Sequence, residues 1–229
     1  MYHANVFATL LSLITFQRSI LIWNIRQTLY EINYESFSTR FAIFLGKFFS
    51  FLPKKILCNS ELSIIHHKDY GFKDCFKLIE NGVDTEKFYF DKQISNEVKK
   101  KLNIDKKNIV IGKIARFHKM KNHQFFIKNI LKILEKYKNL KILIIGKNIN
   151  YENKSITELI PSEFIKNFIL IEETSEINSY LNAIDLLCLT SKSGEGMSNI
   201  IMEAMSVGVS CLSSDIGDNK KLLSSYGKL

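Results

Sequence analysis

One stretch limits the fold more than any other, and it lies near the end of the chain. Residues 186–189 (LLCL) are an apolar run of strand length, and Ser191-Lys192-Ser193-Gly194-Glu195-Gly196 follows as a small polar loop. Its two glycines allow a sharp turn or a close approach of backbone to a ligand. Ser198 or Asn199 is suited to cap a helix with Ile200, Ile201, Ala204 and Met205 on its apolar face, and Gly208 ends that helix before a strand at 209–212. The result is a β-loop-α-β unit. A helix start gathers unpaired N–H groups and the positive end of the helix dipole, so a glycine loop feeding one is a natural seat for phosphate. Glu195 lies in the loop and Glu203 about two turns along the helix. Taken alone, the two read as a capping carboxylate and a solvated side chain.

The rest of the sequence alternates in the same way. Strands are predicted at 20–25, 54–58, 77–79, 109–114, 140–145 and 168–171, each an apolar or β-branched run of strand length. Helices are predicted at 35–52, rich in phenylalanine and stopped by Pro53, at 61–70, capped by Asn59-Ser60 and ended by Gly71, at 124–137 and at 176–183. In the 124–137 helix, Ile127, Ile130, Leu131 and Leu134 face inward. With 229 residues and 46% hydrophobic content, the chain is long enough for one large or two modest globular domains. The lysine-rich 91–107 stretch has the composition of a linker carrying one exposed helix, which divides the chain into a first domain at 1–90 and a second at 108–229. With right-handed crossovers, strands and helices in this order form Rossmann-like doubly wound parallel sheets of the α/β class.

Net charge is +9 with a pI near 9.2, which suits anionic partners. Much of it sits in lysine runs such as Lys99-Lys100-Lys101, and no nucleic-acid-binding signature accompanies it, so nucleic acid is not an expected partner. One cluster is better placed: the loop from Ala115 to His123 holds Arg116, Lys119 and Lys121 directly after a buried strand. The carboxyl ends of strands are where open α/β sheets bind ligands, and Arg116 with Lys121 could neutralise two phosphates there. A bare Arg-x4-Lys is unspecific and equally fits a solvated loop. His118 and His123 receive no role. The four cysteines lack metal-ligand spacing and read as reduced thiols, three of them in or beside buried strands. No metal site is expected. Residues 6–16 are too short to span a bilayer and read as a buried helix with Phe7, Leu10, Leu11 and Ile14 inward. FAIFLGKFFSFL, 41–52, reads as a core helix in preference to a membrane-surface one, since only Lys47, Lys54 and Lys55 begin a basic face.

Glu195-Gly-Met-Ser-Asn-Ile-Ile-Met-Glu203-Ala-Met, followed by Gly208-Val-Ser and Asp215-Ile-Gly217-Asp218, resembles the signature of family-four retaining glycosyltransferases, two-domain enzymes of the GT-B architecture. Ser198 and Ser210 stand where that family commonly has proline. The resemblance implies that Glu195 faces the donor sugar, that Glu203 hydrogen-bonds the ribose, and that the amides of Gly196, Met197, Ser198 and Asn199 cradle the diphosphate. It places Arg116 and Lys121 on that diphosphate, with Asn122 replacing the more usual glycine, and it brings the loop at Glu172 near the nucleobase, largely through backbone. Relatives often carry a histidine after the strand corresponding to 21–25, where this chain has Arg26-Gln27-Thr28.

The activity implied is transfer of a sugar from a nucleoside diphosphate sugar to an acceptor hydroxyl with retention, in cell-surface polysaccharide or glycolipid synthesis, with Glu195, Arg116 and Lys121 as the catalytic set and no cofactor or metal. A glycan or lipid-linked acceptor, a cytoplasmic setting and peripheral contact with the inner face of the membrane go with it. A non-catalytic nucleotide-sugar-binding remnant is the alternative, and a nucleotide-sugar epimerase ranks below both. Against the family pattern, residues 1–5 resemble the middle of the acceptor domain and 224–229 stop short of the final elements. The expectation is therefore a truncated chain with an incomplete N-terminal domain and weak or absent turnover.

Overall fold

The computed structural model describes residues 1–15, 20–30 and 32–224, which form two compact units. The first comprises Met1–Asn81, Ser193–Ser198 and Asp215–Lys220; the second comprises Gly82–Lys192, Asn199–Ser214 and the chain from Lys221.

In the first unit, helix α1 (Tyr2–Ile14) leads to strand β1 (Ile22–Ile25), helix α2 (Phe37–Phe49), strand β2 (Lys55–Cys58), helix α3 (Glu61–Tyr70) and strand β3 (Phe76–Leu78). The three strands are parallel and in the order β1-β2-β3. Ser36 and Ser60 cap α2 and α3 by accepting from Thr39 N and Ser63 N. Helix α3 ends where the sequence says: Gly71 adopts φ +103°, and the Gly71 and Phe72 amides reach back to the Lys68 and His67 carbonyls. The core holds Trp23, Ile25, Ala42, Ile43, Ile56 and Phe72.

Two helix faces differ from expectation. Helix α1 buries Tyr2, Val6 and Thr9, while Phe7, Leu10, Leu11 and Ile14 point outward, Phe7 being 67% exposed. Polar anchors set this rotation. The Tyr2 hydroxyl meets His67 Nε2 at 2.9 Å, and the buried Trp23 indole donates to Thr9 Oγ1 at 3.0 Å. A buried indole N–H without that acceptor would cost about 1–3 kcal/mol, comparable to burying one more leucine. Helix α2 likewise turns its small residues inward. Ala42, Ile43 and Gly46 are buried, and a Cβ on Gly46 would meet the Phe72 ring at 3.3 Å. Phe41, Phe44 and Phe48 are left exposed, whereas Phe49 packs on the core. The core reading of the phenylalanine-rich segment therefore holds for Ala42, Ile43 and Gly46, and fails for most of its aromatics.

The second unit opens earlier than the sequence suggests. Helix α4 (Lys92–Lys101), capped by Asp91 through Gln93 N and Ile94 N, buries Val98, and Ile104 follows it into the same core. Asn182 ties this segment down by receiving Asp91 N on its side-chain oxygen at 2.7 Å and donating to the Tyr89 carbonyl. Residues 91–107 are thus part of the unit and not a linker, because the apolar stripe that lysines obscure in composition is continuous in space.

The remaining elements are β4 (Ile109–Ile114), α5 (His123–Lys136), β5 (Leu140–Ile145), α6 (Lys154–Thr157), β6 (Phe168–Ile171), α7 (Ile177–Leu181), β7 (Leu186–Leu189), α8 (Asn199–Val207), β8 (Ser210–Ser213) and α9 (Asn219–Leu223). The five strands are parallel in the order β6-β5-β4-β7-β8. Alternate residues of β5 serve opposite faces: Ile142 and Ile144 join a core covered by Phe126, Ile127, Ile130 and Leu134 of α5, while Leu143 and Ile145 join one covered by Ile201, Ala204 and Val207 of α8. This is the expected doubly wound Rossmann-like sheet, and its order reverses between β4 and β7. Helix α8 ends at Gly208, φ +84°, with the Gly208 and Val209 amides on the Met205 and Ala204 carbonyls.

Among the described residues no helix is long and apolar enough to cross a membrane. All four cysteines are free, and Cys58, Cys188 and Cys211 are buried, which pushes their thiols up to about 11 or 12.

Candidate functional site

In the second unit, the place where the strand order reverses is the crevice that open α/β sheets use for ligands. Strand β4 leaves it through Ala115 and Arg116. This exit is locked to that of β5, because Ala115 N donates to Ile145 O at 2.9 Å and Phe117 N to Lys147 O at 2.8 Å. Gly146, at φ +150°, has to be glycine: a Cβ there would be driven into the Ala115 carbonyl and the Arg116 amide. Arg116 is exposed, and among the described residues no acid or acceptor holds its guanidinium.

Lys121, half-buried, ends a short 3-10 turn, Lys119–Lys121. His118 caps that turn by accepting from Met120 N, and Asn122 follows at φ +52°, a left-handed conformation that asparagine tolerates better than most residues. The far side of the turn is tied to the end of β7. Lys192 N donates to Met120 O at 2.7 Å, and the Thr190 hydroxyl faces the Lys121 and Asn122 carbonyls at 3.5 and 3.4 Å. His123 is buried with Nε2 3.3 Å from the Ala115 carbonyl, so Nε2 carries the proton. Burial, with the nearby Lys113 charge, pushes its pKa down to about 3 and keeps the ring neutral. Both histidines that the sequence left unassigned brace the basic loop.

The other candidates in this unit occupy different positions. Glu172, at the end of β6, is exposed, and its carboxylate accepts from Asn150 Nδ2 at 2.7 Å and Asn148 N at 2.5 Å, which hold it below the usual carboxylate range. The side chain is committed to the 148–150 turn. Asn199 begins α8 and is exposed. Glu203, one turn on, is half-buried; burial raises its carboxyl, and the Lys87 ammonium opposes the shift. Among the described residues no three His, Cys, Asp or Glu side chains cluster as metal ligands do.

Glu195, Gly196, Met197 and Ser198 belong to the first unit, although the sequence reading kept them in the second domain. Their carbonyls find donors at the carboxyl ends of the first unit's strands. Thr28 Oγ1, after β1, donates to Glu195 O at 3.0 Å, and Asn81 Nδ2, after β3, donates to Met197 O at 3.0 Å while its side-chain oxygen accepts from the Arg26 guanidinium. Asn59, after β2, lies so close to Gly196 that a Cβ there would strike its amide oxygen, and Gly217 at φ +57° is pressed against the Gly196 carbonyl. Asp218 completes the arrangement by donating N–H to Gly196 O at 2.8 Å and accepting from the Glu61 and Leu62 amides at 2.8 and 3.3 Å on its carboxylate. The start of α3 is thereby already occupied by an acid. Glu195 is 8% exposed. Arg26 and Thr28, where relatives were expected to carry a histidine, serve to hold this loop.

Sequence reasoning gave no part in the site to Thr28, Asn81, Lys113 or Thr190, read Asn59 only as a helix cap, and named Asp218 within the family signature without a role. Thr28, Asn59, Asn81 and Thr190 lie within three residues of a strand's carboxyl end, so the strand assignments alone could have nominated them.

Comparison with known proteins bears on the family and the fold. The family model described as glycosyl transferases group 1 matches residues 94–228. The capsular polysaccharide biosynthesis glycosyltransferase CapM of Staphylococcus aureus is 30% identical over 141 residues, which make up 59% of this chain and 35% of CapM. The chain thus spans about a third of the length of the curated relatives it matches. Among solved structures, Anabaena HepE in complex with UDP-glucose superposes with a TM-score of 0.84 at 19% identity, over 97% of this chain and 60% of that one. A glycosyltransferase from Rickettsia africae gives 0.70 at 15% identity, over 96% and 64%. The two structures speak for the fold, and the family match, which takes in more than half of the residues, makes this chain a member of the group 1 glycosyl transferases.

Proposed function

We propose that the chain binds a nucleoside diphosphate sugar and belongs to an enzyme that transfers the sugar, with retention at the anomeric carbon, to a hydroxyl of a glycan or lipid-linked acceptor in cell-surface polysaccharide or glycolipid synthesis. The observation that carries this reading is the basic loop: an exposed Arg116 and a braced Lys121 at the carboxyl end of β4, beside the point where the strand order reverses. The name of CapM supports the pathway class, and the UDP-glucose bound by the Anabaena protein makes UDP-sugars the first donors to test.

On this reading the difficult step is departure of the nucleoside diphosphate. Negative charge grows on its phosphates as the glycosidic bond breaks, and Arg116 and Lys121 oppose it electrostatically, without a metal or other cofactor. Glu203 holds the ribose, the Glu172 backbone lies by the base, and Glu195 orients the sugar and favours its developing positive charge. The setting is cytoplasmic, with the exposed Phe41, Phe44 and Phe48 as the surface that would meet the membrane.

Calorimetry of the purified chain with UDP, GDP and ADP tests the reading. Arg116→Ala and Lys121→Ala should each weaken the preferred nucleotide about tenfold or more, the loss of one charge-assisted phosphate contact. Unchanged affinity in both variants would reduce the basic loop to a solvated face.

A further inference from the structure

Lys113 is a side chain that the proposed chemistry does not use and that is expensive to place where it is. It lies one residue before the end of β4, on the central strand of the five, and is 1% exposed. Burying an ammonium in a sheet core is unfavourable unless its hydrogen bonds are met and its charge does something locally. Lys113 Nζ lies 5.5 Å from the centre of the Phe126 ring and donates to Thr190 Oγ1 at 2.7 Å, across from β4 to the exit of β7. Strands β4 and β7 are the neighbours at which the sheet reverses its order.

The direction of these hydrogen bonds is fixed by chemistry. An ammonium has only protons to give, so Thr190 Oγ1 must accept from it. The threonine's own proton is then left for the Lys121 and Asn122 carbonyls, which lie 3.5 and 3.4 Å away and can only accept. The chain of donors therefore runs one way, from ammonium to hydroxyl to the backbone of the basic loop. A valine at 190 would keep the shape and lose both links.

We infer that Lys113 and Thr190 are positioning residues for Lys121. Lys113 orients the Thr190 hydroxyl, and that hydroxyl fixes the backbone from which Lys121 reaches a diphosphate. The inference rests on the nucleotide-binding reading above and assigns the buried pair to its phosphate end, leaving nucleoside recognition untouched.

The test compares UDP with uridine, UDP by calorimetry and uridine by ligand-observed NMR, on the full 229-residue chain. Thr190→Val should weaken UDP about fivefold, the scale of one ordinary hydrogen bond, and leave uridine within about twofold. Thr190→Ser, which keeps the hydroxyl, should restore UDP binding, and Lys113→Met should behave as Thr190→Val does. In a Lys121→Ala background, Thr190→Val should change UDP affinity no further, because the group it positions is gone. A uniform loss of uridine and UDP would show a merely structural role and overturn the inference. So would a Thr190→Val chain that binds UDP as the parent does while Lys121→Ala weakens it. If Lys121→Ala itself leaves UDP binding unchanged, the phosphate seat is misassigned and this inference falls with it.

Discussion

Acid should destabilise the first unit through a single imidazole, and the structure sets the size of the effect. His67 has no exposed surface; its Nδ1 lies 2.6 Å from the Ser63 carbonyl and must donate to it, so Nε2 is the acceptor for the Tyr2 hydroxyl. The ring is pinned in one neutral tautomer, and burial lowers its pKa from 6.5 to about 4. The folded state therefore refuses a proton that the unfolded chain accepts below pH 6.5, so the stability is whole above that pH and is lost as pH falls towards 4. Each pH unit in that window removes roughly 1.4 kcal/mol, which gives about 2 kcal/mol by pH 5 and a ceiling of about 3 kcal/mol once the folded ring titrates. The chain's one tryptophan, Trp23, is buried in the same core, so its fluorescence in urea reports this unit. Urea midpoints should fall from pH 7.5 to pH 5, and His67→Gln, less stable throughout because Tyr2 loses its partner, should show a shallower pH slope by about one proton. A midpoint that does not move over that range, or an equal slope in the variant, would refute the neutral-imidazole argument.

Two further outcomes follow from the loop that the first unit holds and from helix α8 of the second. Asp218→Ala should lower the first unit's stability by about 1–2 kcal/mol, read by Trp23 fluorescence, because the α3 amides of Glu61 and Leu62 lose their acceptor. Glu203→Gln should weaken UDP itself, whereas Glu195→Gln should spare UDP and reduce the preference for the intact UDP-sugar over UDP; calorimetry that finds neither change would withdraw both glutamates from the site.

Much of the fold was legible because a sheet buried on both faces leaves little choice of sequence. Runs such as IVIGKI and LKILII are too short and too apolar for surface helices, and β4, β5, β6 and β7 begin and end where the sequence predicts. Gly71 and Gly208 were legible as helix ends for a related reason: the backbone turns left-handed there, and a side chain would resist it. Periodicity fails where two stripes compete on one helix. In α1 the stripe of Phe7, Leu10, Leu11 and Ile14 is the more apolar, yet Thr9 and Tyr2 point inward because Trp23 and His67, 14 and 65 residues away along the chain, supply the polar partners that decide the rotation. No local pattern contains that information.

The candidate site divides in the same way. Arg116 and Lys121 could be nominated from a basic loop after an apolar strand, and Glu195 and Glu203 from the resemblance of their stretch to a family signature, since each rests on neighbours in sequence. What holds these residues in place comes from far away: Thr28 meets Glu195 across 167 positions, Asp218 meets Glu61 across 157, and Lys113 meets Thr190 across 77. A polar residue at a strand exit reads in sequence as an ordinary turn former, because serine, threonine and asparagine are favoured in turns whether or not anything docks on them. The strand ends themselves are the missing filter. Once a parallel sheet is assigned, the polar residues just beyond its carboxyl ends are gathered on one edge by geometry, which nominates Thr28, Asn59 and Asn81 on the first unit's sheet and, separately, Arg116 and Thr190 on the second unit's, before any contact is known.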